Sequence, residues 1–265
     1  MTSADISTSC SIVAHSTVEA SLARIAQLRD DPGARDAAGQ PTGPQLARRF
    51  LRHCDEHTVV GMAAVLEAIC RMPAGSTDFS RWGVLAAPCL AGRLMSAETL
   101  SQLHKTGATA VSPHIIPQCS LHAMASAVSV GLGMHGPNIG VGGGPQAVAE
   151  GLVTALTLLD DPGVPGIWLV LTQWDEEPIP DGEGGATGAA VCRGTALALM
   201  ARDATAGRFA AGLTLSLRIP SGPLSSANTS ATPLGGFASA LDGPGSGGAV
   251  RWSHACDWGG RREVA

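Results

Sequence analysis

Short apolar runs alternate along this chain with segments in which apolar residues recur at helical spacing. The apolar runs lie at 82–88, 139–141 and 166–174. Helical spacing extends over 58–72, 96–107, 120–133 and 145–159. Short apolar runs bounded by turn residues are typical of buried strands, and the i, i+3, i+4 repeat is typical of helices packed on a core. The alternation predicts an α/β fold with a mainly parallel sheet and flanking helices.

Local signals predict where several of these helices begin and end. Thr58 is the expected N-cap of the first helix, and Ser96 that of the second, which Gly107 terminates. Nearer the N-terminus, 11–15 is consistent with a strand, and 17–28 is predicted to be helical because its apolar residues fall on one face. Those residues are Val18, Leu22, Ile25 and Leu28.

The remaining segments are predicted from their turn residues and polarity. The Pro- and Gly-rich stretch 30–44 is expected to be a flexible loop, and 111–118 an extended loop. Two apolar runs at 195–201 and 212–219 predict an antiparallel strand pair. The Gly-, Ser- and Pro-rich stretch 221–265 is predicted to be a mostly disordered, low-complexity tail, leaving a domain at 1–220. Trp252 and Trp258 are the residues of this tail suited to docking.

Composition and charge narrow the function classes. Aromatic residues make up 3% of the chain and Tyr is absent, so the core must be built from Ala, Val, Leu and Ile in close-packed layers. A net charge of −5 without a basic run argues against nucleic-acid binding. No apolar stretch has the length of a membrane span, and the N-terminus lacks the features of a signal peptide. With seven scattered cysteines and no CxxC pair, a cytoplasmic location is expected.

The segment after 139–141 raises a question about chemistry. Gly142, Gly143, Gly144 and Pro145 form a tight turn before an alanine-rich helix, a layout with which enzymes present a nucleophile. None of these four residues has a nucleophilic side chain. A phosphate cradle is the alternative interpretation, but the run matches neither GxGxxG nor GxxxxGK[ST].

Other candidate ligands and nucleophiles lack the required spacing. His114, His122 and His135 do not match a zinc pattern, and Cys119 has no base placed beside it by the sequence. The acidic residues after 174 lack calcium-loop spacing. They are Asp175, Glu176, Glu177, Asp181 and Glu183. The sequence therefore predicts no metal and no cofactor.

Four stretches, in order, resemble the N-terminal half of β-ketoacyl synthases, members of the thiolase-like superfamily. They are "RWGVLAAPCLAGR", "VSPHIIPQCSLHAMASAVSVGLGMHGPN", "GPNIGVGGGPQAVAEGL" and "IWLVLTQWDE". The resemblance runs from about residue 58 to residue 217, and it implies half of a thiolase-like fold. It places the family's nucleophilic Cys nine positions after Gly136, at Pro145, or at Gln146 if the alignment shifts by one. Neither residue can form a thioester.

In the family that this chain resembles, active synthases also have two catalytic histidines, or a histidine and an asparagine. These residues lie in the C-terminal half of the family's fold. In the tail of this chain the one histidine is His254, and its surroundings do not match the family. The sequence is most similar to the short, Cys-less, chain-length-factor-type subunit associated with aryl polyene biosynthesis. This similarity implies a non-catalytic subunit that pairs with a full-length, active β-ketoacyl synthase and meets acyl carrier protein indirectly.

The family's dimer contacts imply an interface over 111–134 and 139–141. The implied partner-facing residues are Pro113, Pro117, Ala123, Ser126, Ala127, Val130, Ile139 and Val141. Two other functions stay open at this point: an acyl-thioester-processing enzyme with relocated chemistry, and a degraded synthase paralogue that acts as a scaffold.

Overall fold

The computed structural model describes nine stretches of the chain. They are 6–33, 42–47, 49–72, 78–181, 186–187, 189–201, 213–219, 233–243 and 261–264. The strands are β1 (Ile6–Ser21), β2 (Gly83–Pro88), β3 (Asn138–Gly140), β4 (Ile167–Trp174), β5 (Ile179–Pro180), β6 (Ala186–Thr187), β7 (Val191–Ala201), β8 (Leu213–Ile219) and β9 (Arg261–Val264). The helices are α1 (Leu22–Asp30), α2 (Glu56–Cys70), α3 (Arg93–Thr106), α4 (Ile115–Gln118), α5 (Ala123–Leu132), α6 (Ala147–Leu159) and α7 (Pro233–Leu241), with a 3-10 turn at Ala108–Ala110.

One mixed sheet organises the fold, with helices on both faces, and the α/β class is confirmed. Its seven strands have the order β3-β2-β4-β7-β1-β8-β9. The parallel pairings lie on β2, which runs parallel to β3 and to β4. The other pairings, from β4 across to β9, are antiparallel.

The alternation of side chains along β4 explains the layers. Leu169 and Leu171 belong to the same buried cluster as residues of α6 and α7, whereas Trp168 and Val170 belong to the cluster that contains α2 and α5. Since successive strand residues point to opposite faces, a strand buried on both faces is apolar along most of its length, as β4 is from Ile167 to Leu171. The helices α1, α2 and α5 therefore cover one face of the sheet, and α6 and α7 cover the other.

The position of β1 corrects two predictions. β7 and β8 do not pair with each other, because β1 lies between them and is antiparallel to both. β1 is also much longer than the predicted strand at 11–15. Residues 17–21 belong to it rather than to a helix, and α1 begins at Leu22 after Ser21, whose hydroxyl accepts a hydrogen bond from the backbone N–H of Arg24.

Several helix starts also differ from their predicted positions. The N-cap of α2 is Asp55 rather than Thr58, because the Asp55 carboxylate accepts the Thr58 N–H at 2.9 Å. The first residues of α3, α5 and α6 lie at 93, 123 and 147. Gly107 ends α3 as predicted, whereas the predicted extended loop at 111–118 contains the short helix α4.

Part of the predicted tail is structured. In α7, the side chains of Leu234, Phe237 and Leu241 are buried in the core, and β9 pairs with β8. The prediction of disorder is therefore wrong for these two segments, because apolar residues at i, i+3 and i+7 give α7 a face that the sheet covers. Trp252, His254 and Trp258 lie outside the described residues, as does 34–41 of the predicted loop. The domain boundary at 220 stays a prediction.

Among the described residues, no helix has the length and apolar character that crossing a bilayer requires.

Candidate functional site

The turn between β3 and α6 lies at the carboxyl end of the parallel strands. The N–H of Val141 donates to the carbonyl of Ala86 at 2.9 Å, and the N–H of Gly143 donates to the carbonyl of Pro88 at 3.1 Å. Both bonds attach the turn to the end of β2. We call residues 141–146 the elbow.

Close packing explains why the elbow is built from glycine. Gly142 and Gly143 have φ values of 84° and 90°, a region that side-chain-bearing residues rarely adopt. A Cβ atom on Gly142 would lie 2.8 Å from that of Ala147, and one on Gly140 would overlap the carbonyl of Leu121. The backbone is thus held between the first turn of α6 and the segment that precedes α5.

The tip of the elbow carries Pro145 and Gln146. Pro145 is exposed, and Gln146 is the N-cap of α6 without a capping hydrogen bond from its side chain. The Oε1 atom of Gln146 is buried and has no hydrogen-bond partner among the described residues. No residue of 141–146 bears a thiol, hydroxyl or imidazole. The elbow therefore has the backbone form of a nucleophile site but contains no nucleophilic side chain.

The structure places the thiol of Cys89 beside the elbow. The sequence alone did not indicate that this thiol lies there. Cys89 follows β2 directly, its N–H donates to the carbonyl of Thr172 at 2.8 Å, and it shares a buried cluster with Ala147 and Val148. Burial raises the pKa of the Cys89 thiol to about 11, and the charge of Glu177 adds to this increase. The thiol is protonated near neutral pH and is therefore a poor nucleophile.

A buried histidine lies under the same end of the sheet. The Nδ1 atom of His57 is 2.9 Å from the hydroxyl of Thr172, and its Nε2 atom has no partner among the described residues. Its ring meets that of Trp174 edge to face. Burial lowers the pKa of His57, against the raising effect of Asp55 and Glu56. The imidazole is therefore neutral near pH 7, and its position in the interior suits a structural role.

The predicted partner-facing residues occupy the uncovered side of α5 and the edge of the sheet. The core face of α5 is formed by Met124, Ala125 and Val128, whereas Val130 is 72% exposed. The other predicted residues divide by exposure. Pro113 and Pro117 are exposed, and Ala123, Ser126, Ala127, Ile139 and Val141 are half-buried. Because α5 contacts β3, these two elements form one continuous surface, whereas the two prolines lie around α4, which contacts α3.

The other candidate groups stay apart. His114, His122 and His135 are exposed, and Cys119 is half-buried, with a pKa that burial raises. In the part of the chain that the structure describes, no three His, Cys, Asp or Glu side chains are grouped as a metal ion requires. Within the acidic loop, Glu177 pairs with Arg93 at 3.5 Å and Asp175 pairs with Arg193 at 3.2 Å. Glu183 lies outside the described residues.

A cavity that the sequence did not predict lies between α3 and the start of α2. Its volume is about 550 Å³, and we call it the α3 cavity. Its walls come from α1, residues 52–56, α3, the segment 110–118 and the β5–β6 pair. No local pattern could have indicated it, because its walls are distant from one another in the chain.

Comparison with solved structures identifies the fold. The chain aligns with a chain of the complex between the ketosynthase ApeO and its chain length factor ApeC from Xenorhabdus doucetiae, at 15% identity and a TM-score of 0.55. A complex of a type II polyketide acyl carrier protein with its hexaketide-bound ketosynthase, AntDE:AntF, matches at 15% identity and 0.53. A β-ketoacyl synthase from Burkholderia phymatum STM815 matches at 12% identity and 0.50. The chain has a ketosynthase-like fold.

The share of each chain that is covered differs among these ketosynthase-like matches. The alignment covers 98% of this chain and 97% of the chain in the ApeO–ApeC complex, so those two chains are nearly equal in length. The alignment with AntDE:AntF covers 79% of this chain and 68% of the other chain. The alignment with the Burkholderia synthase covers 78% of this chain and 63% of the other chain. No family model matches the sequence, and no curated protein matches it.

Proposed function

We propose that this chain is a non-condensing, chain-length-factor-type subunit that pairs with an active β-ketoacyl synthase in polyketide or fatty-acid-type biosynthesis, of the aryl polyene kind. The observation that carries the proposal is the elbow. Its backbone has the strand–turn–helix form of a nucleophile site, yet Pro145 and Gln146 occupy the positions where the family resemblance places the thiol. A chain built in this way needs the thiol of a partner to carry an acyl group.

The chemistry around the elbow favours this function over an enzyme with relocated chemistry. The nearby thiol of Cys89 is buried, and its pKa is raised rather than lowered, whereas thiols that form thioesters are activated as thiolates. The buried imidazole of His57 forms its hydrogen bond with the hydroxyl of Thr172 and not with a thiol. Neither group offers the paired nucleophile and base that acyl transfer requires.

The fold matches support pairing with a synthase. The match of nearly equal length comes from a complex of a ketosynthase with a chain length factor. The AntDE:AntF structure holds a ketosynthase with an acyl carrier protein. We therefore expect the carrier protein to meet this chain through the synthase rather than directly.

The proposed contact surface consists of β3 and the outer face of α5. Among the strands that the structure describes, β3 is at the end of the sheet and pairs with β2 on one side, so its other side offers backbone groups to a strand of a partner. Beside it, Val130 exposes 72% of its surface. We propose that the synthase covers both elements and that this chain shapes the far end of the synthase's acyl tunnel.

Co-purification tests this function. The chain is co-expressed with each full-length β-ketoacyl synthase found among the neighbouring genes, and any complex is isolated through a tag on the synthase. Val130→Arg places a charge on the proposed surface, and we expect it to reduce recovery of the complex at least about tenfold, because a buried, unpaired charge costs several kcal/mol. Val130 is preferable to Ala127, since Ala127 also packs against the core.

Thr157→Arg is the matched control. Thr157 is exposed on α6, which lies on the opposite face of the sheet, so this variant should co-purify like the wild-type chain. Circular dichroism confirms that both variants fold. Equal recovery of both variants would place the interface elsewhere, and failure of the wild-type chain to bind any neighbouring synthase would contradict the function itself.

A further inference from the structure

Four exposed apolar side chains lie on neighbouring elements between α3 and α5. Among the described residues, seven large apolar side chains are exposed, and these four are most of them. Leu100 and Leu103 on α3 are 64% and 42% exposed, Ile116 on α4 is 77% exposed, and Leu121 is 36% exposed. We call these four residues the α3–α4 strip. Single exposed apolar residues are common, whereas contiguous ones mark contact sites.

The chain turns back after α3 and returns beside it. Cys119 follows α4 directly, and a Cβ on Gly92 would lie 2.7 Å from the Cβ of Cys119. The side chain of Ser96, in the first turn of α3, also lies against Cys119. The end of α4 is therefore packed against the start of α3, and this contact defines one side of each helix.

The apolar side chains of the two helices share the sides that this contact defines. Leu100 and Leu103 are four and seven residues after Ser96, so they lie on the same face of α3. Ile116 is three residues before Cys119 and lies on the same side of α4. The three side chains thus follow the seam between α3 and α4, whereas other residues of these helices line the α3 cavity.

Leu121 connects this seam to the proposed contact surface of the synthase. A Cβ on Gly140 of β3 would overlap the carbonyl of Leu121, so the backbone of Leu121 lies directly against β3. The side chain of Leu121 lies against the elbow, because a Cβ on Gly143 would be 2.8 Å from its Cδ2 atom. Since Leu121 is two residues past Cys119, the α3–α4 strip is continuous with β3.

The proposed contact surface is small without this strip. β3 has three residues, and the outer face of α5 adds Val130 and its half-buried neighbours. A stable interface buries about 800 Å² on each partner and involves roughly 20–30 residues of each. A synthase that pairs stably with this chain must therefore cover more than β3 and α5, and the adjoining exposed apolar surface is the α3–α4 strip.

We propose that the partner synthase also covers the α3–α4 strip with an apolar surface of its own, so that its contact area extends from β3 across Leu121 onto α3. This inference rests on the proposed function, which assigns the synthase as the partner. The strip would contribute to the affinity because removing its apolar side chains from water is favourable.

Charged substitutions in the strip test this inference. Leu100→Arg and Ile116→Arg change side chains that are exposed in the isolated chain, so both variants should keep the circular dichroism and the Tm of the wild type. We expect each substitution to raise the Kd for the synthase at least about tenfold, because the complex would bury an unpaired charge. The Kd is measured by titrating the fluorescently labelled chain with the purified synthase that co-purifies with the wild type.

Gln102→Arg is the matched control on the same helix. Gln102 is exposed and lines the α3 cavity, so this variant adds the same charge to another side of α3. Its Kd should stay within about twofold of the wild-type value, as is usual for an exposed position outside an interface. An equal loss of affinity in Gln102→Arg and Leu100→Arg would overturn the inference, because the effect would not be specific to the strip.

Hydroxyl-radical footprinting tests the strip without any substitution. Leu100, Leu103 and Ile116 should be oxidised at least about threefold more slowly in the complex than in the free chain, because the partner excludes water from them. Leu213, which is 36% exposed on β8, is the internal control and should be oxidised at the same rate in both states.

The outcomes distinguish this inference from the proposed function. If the wild-type chain binds a synthase and Val130→Arg weakens the complex, but the strip variants bind like the wild type and the strip is oxidised at an unchanged rate, then the inference is wrong and the proposed function stands. If the wild-type chain binds no synthase, both are wrong.

Discussion

At the residue scale, buried polar side chains form hydrogen bonds between separate elements of the fold. The carboxylate of Asp55 accepts the N–H of Thr58 and that of Gly92, so one side chain caps α2 and positions the residue before α3. Two residues along α2, the buried ring of His57 bonds to the hydroxyl of Thr172 on β4. A buried carboxylate with two amide donors is well compensated, whereas the Nε2 atom of His57 has no partner among the described residues.

Acid should destabilise the protein through His57. Burial holds its pKa below the ordinary value of 6.5 in the folded state, so below pH 6.5 the unfolded chain binds more protons than the folded chain. The contribution of His57 to the free energy of unfolding should therefore be constant above about pH 7 and fall as the pH decreases from 6.5, by up to about 1.4 kcal/mol per pH unit for one histidine. Urea unfolding between pH 5 and pH 8 measures this slope.

The variant His57→Leu separates this histidine from the others. A leucine side chain cannot be protonated, so the acid slope should become shallower in this variant. His15, whose pKa burial also lowers, supplies a remaining slope. A slope that is the same in His57→Leu and in the wild type would show that other groups cause the acid sensitivity.

At the scale of elements, the helices divide by how much of their surface this chain itself covers. α2 and α6 are mostly buried, α5 has one core face and one uncovered face, and α3 has no buried residue. α7 is short, yet its apolar side chains are in the core. Length and apolar content alone therefore do not decide which helix is structural, because burial depends on what the sheet presents to it.

The stability of the fold should depend on α7. Phe237 is fully buried in the apolar cluster between the sheet and its second layer of helices, so Phe237→Ala should lower the free energy of unfolding by about 3–5 kcal/mol. Ser239→Ala removes an exposed hydroxyl from the same helix and should change it by less than about 0.5 kcal/mol. Urea denaturation of both variants measures the difference. Equal stabilities would show that α7 is dispensable and that the predicted boundary at 220 also limits the folded unit.

At the scale of the whole molecule, a single sheet joins the candidate site to the distant ends of the chain. The elbow and β3 lie at one edge, and β9 lies at the other. The two faces of the sheet carry separate apolar clusters, so α5 and α7 pack on different sides, whereas Ile139 at the edge packs against the cluster that contains α7. Changes at one edge should consequently leave the other intact.

The purified chain should not accept an acyl group. After incubation with acyl-loaded carrier protein, intact-mass spectrometry should show the unmodified mass, because the elbow contains no thiol and Cys89 is protonated. The paired synthase, treated in the same way, is the positive control. If an adduct forms and disappears in Cys89→Ala, then this chain has its own acyl-transfer chemistry and the non-condensing role is wrong.

The sequence by itself determined the elements whose signals are local. The strands at 83–88 and 167–174, the end of α3 at Gly107 and the empty elbow follow from residues close together in the chain. The same patterns, with the family resemblance, led to the α/β class and the ketosynthase-like fold. Apolar periodicity and turn residues act over a few positions, which is why they predict these features well.

Only the tertiary structure decided which distant segments meet. Cys10 pairs with Ala201 on one side and Leu215 on the other, and no local pattern specifies that β1 separates β7 from β8. The same is true of Cys89 beside the elbow and of the cavity beneath α3. Strand pairings between residues so far apart in the chain depend on which arrangement of the whole chain has the lowest free energy. That free energy depends on contacts throughout the core and not on any one segment.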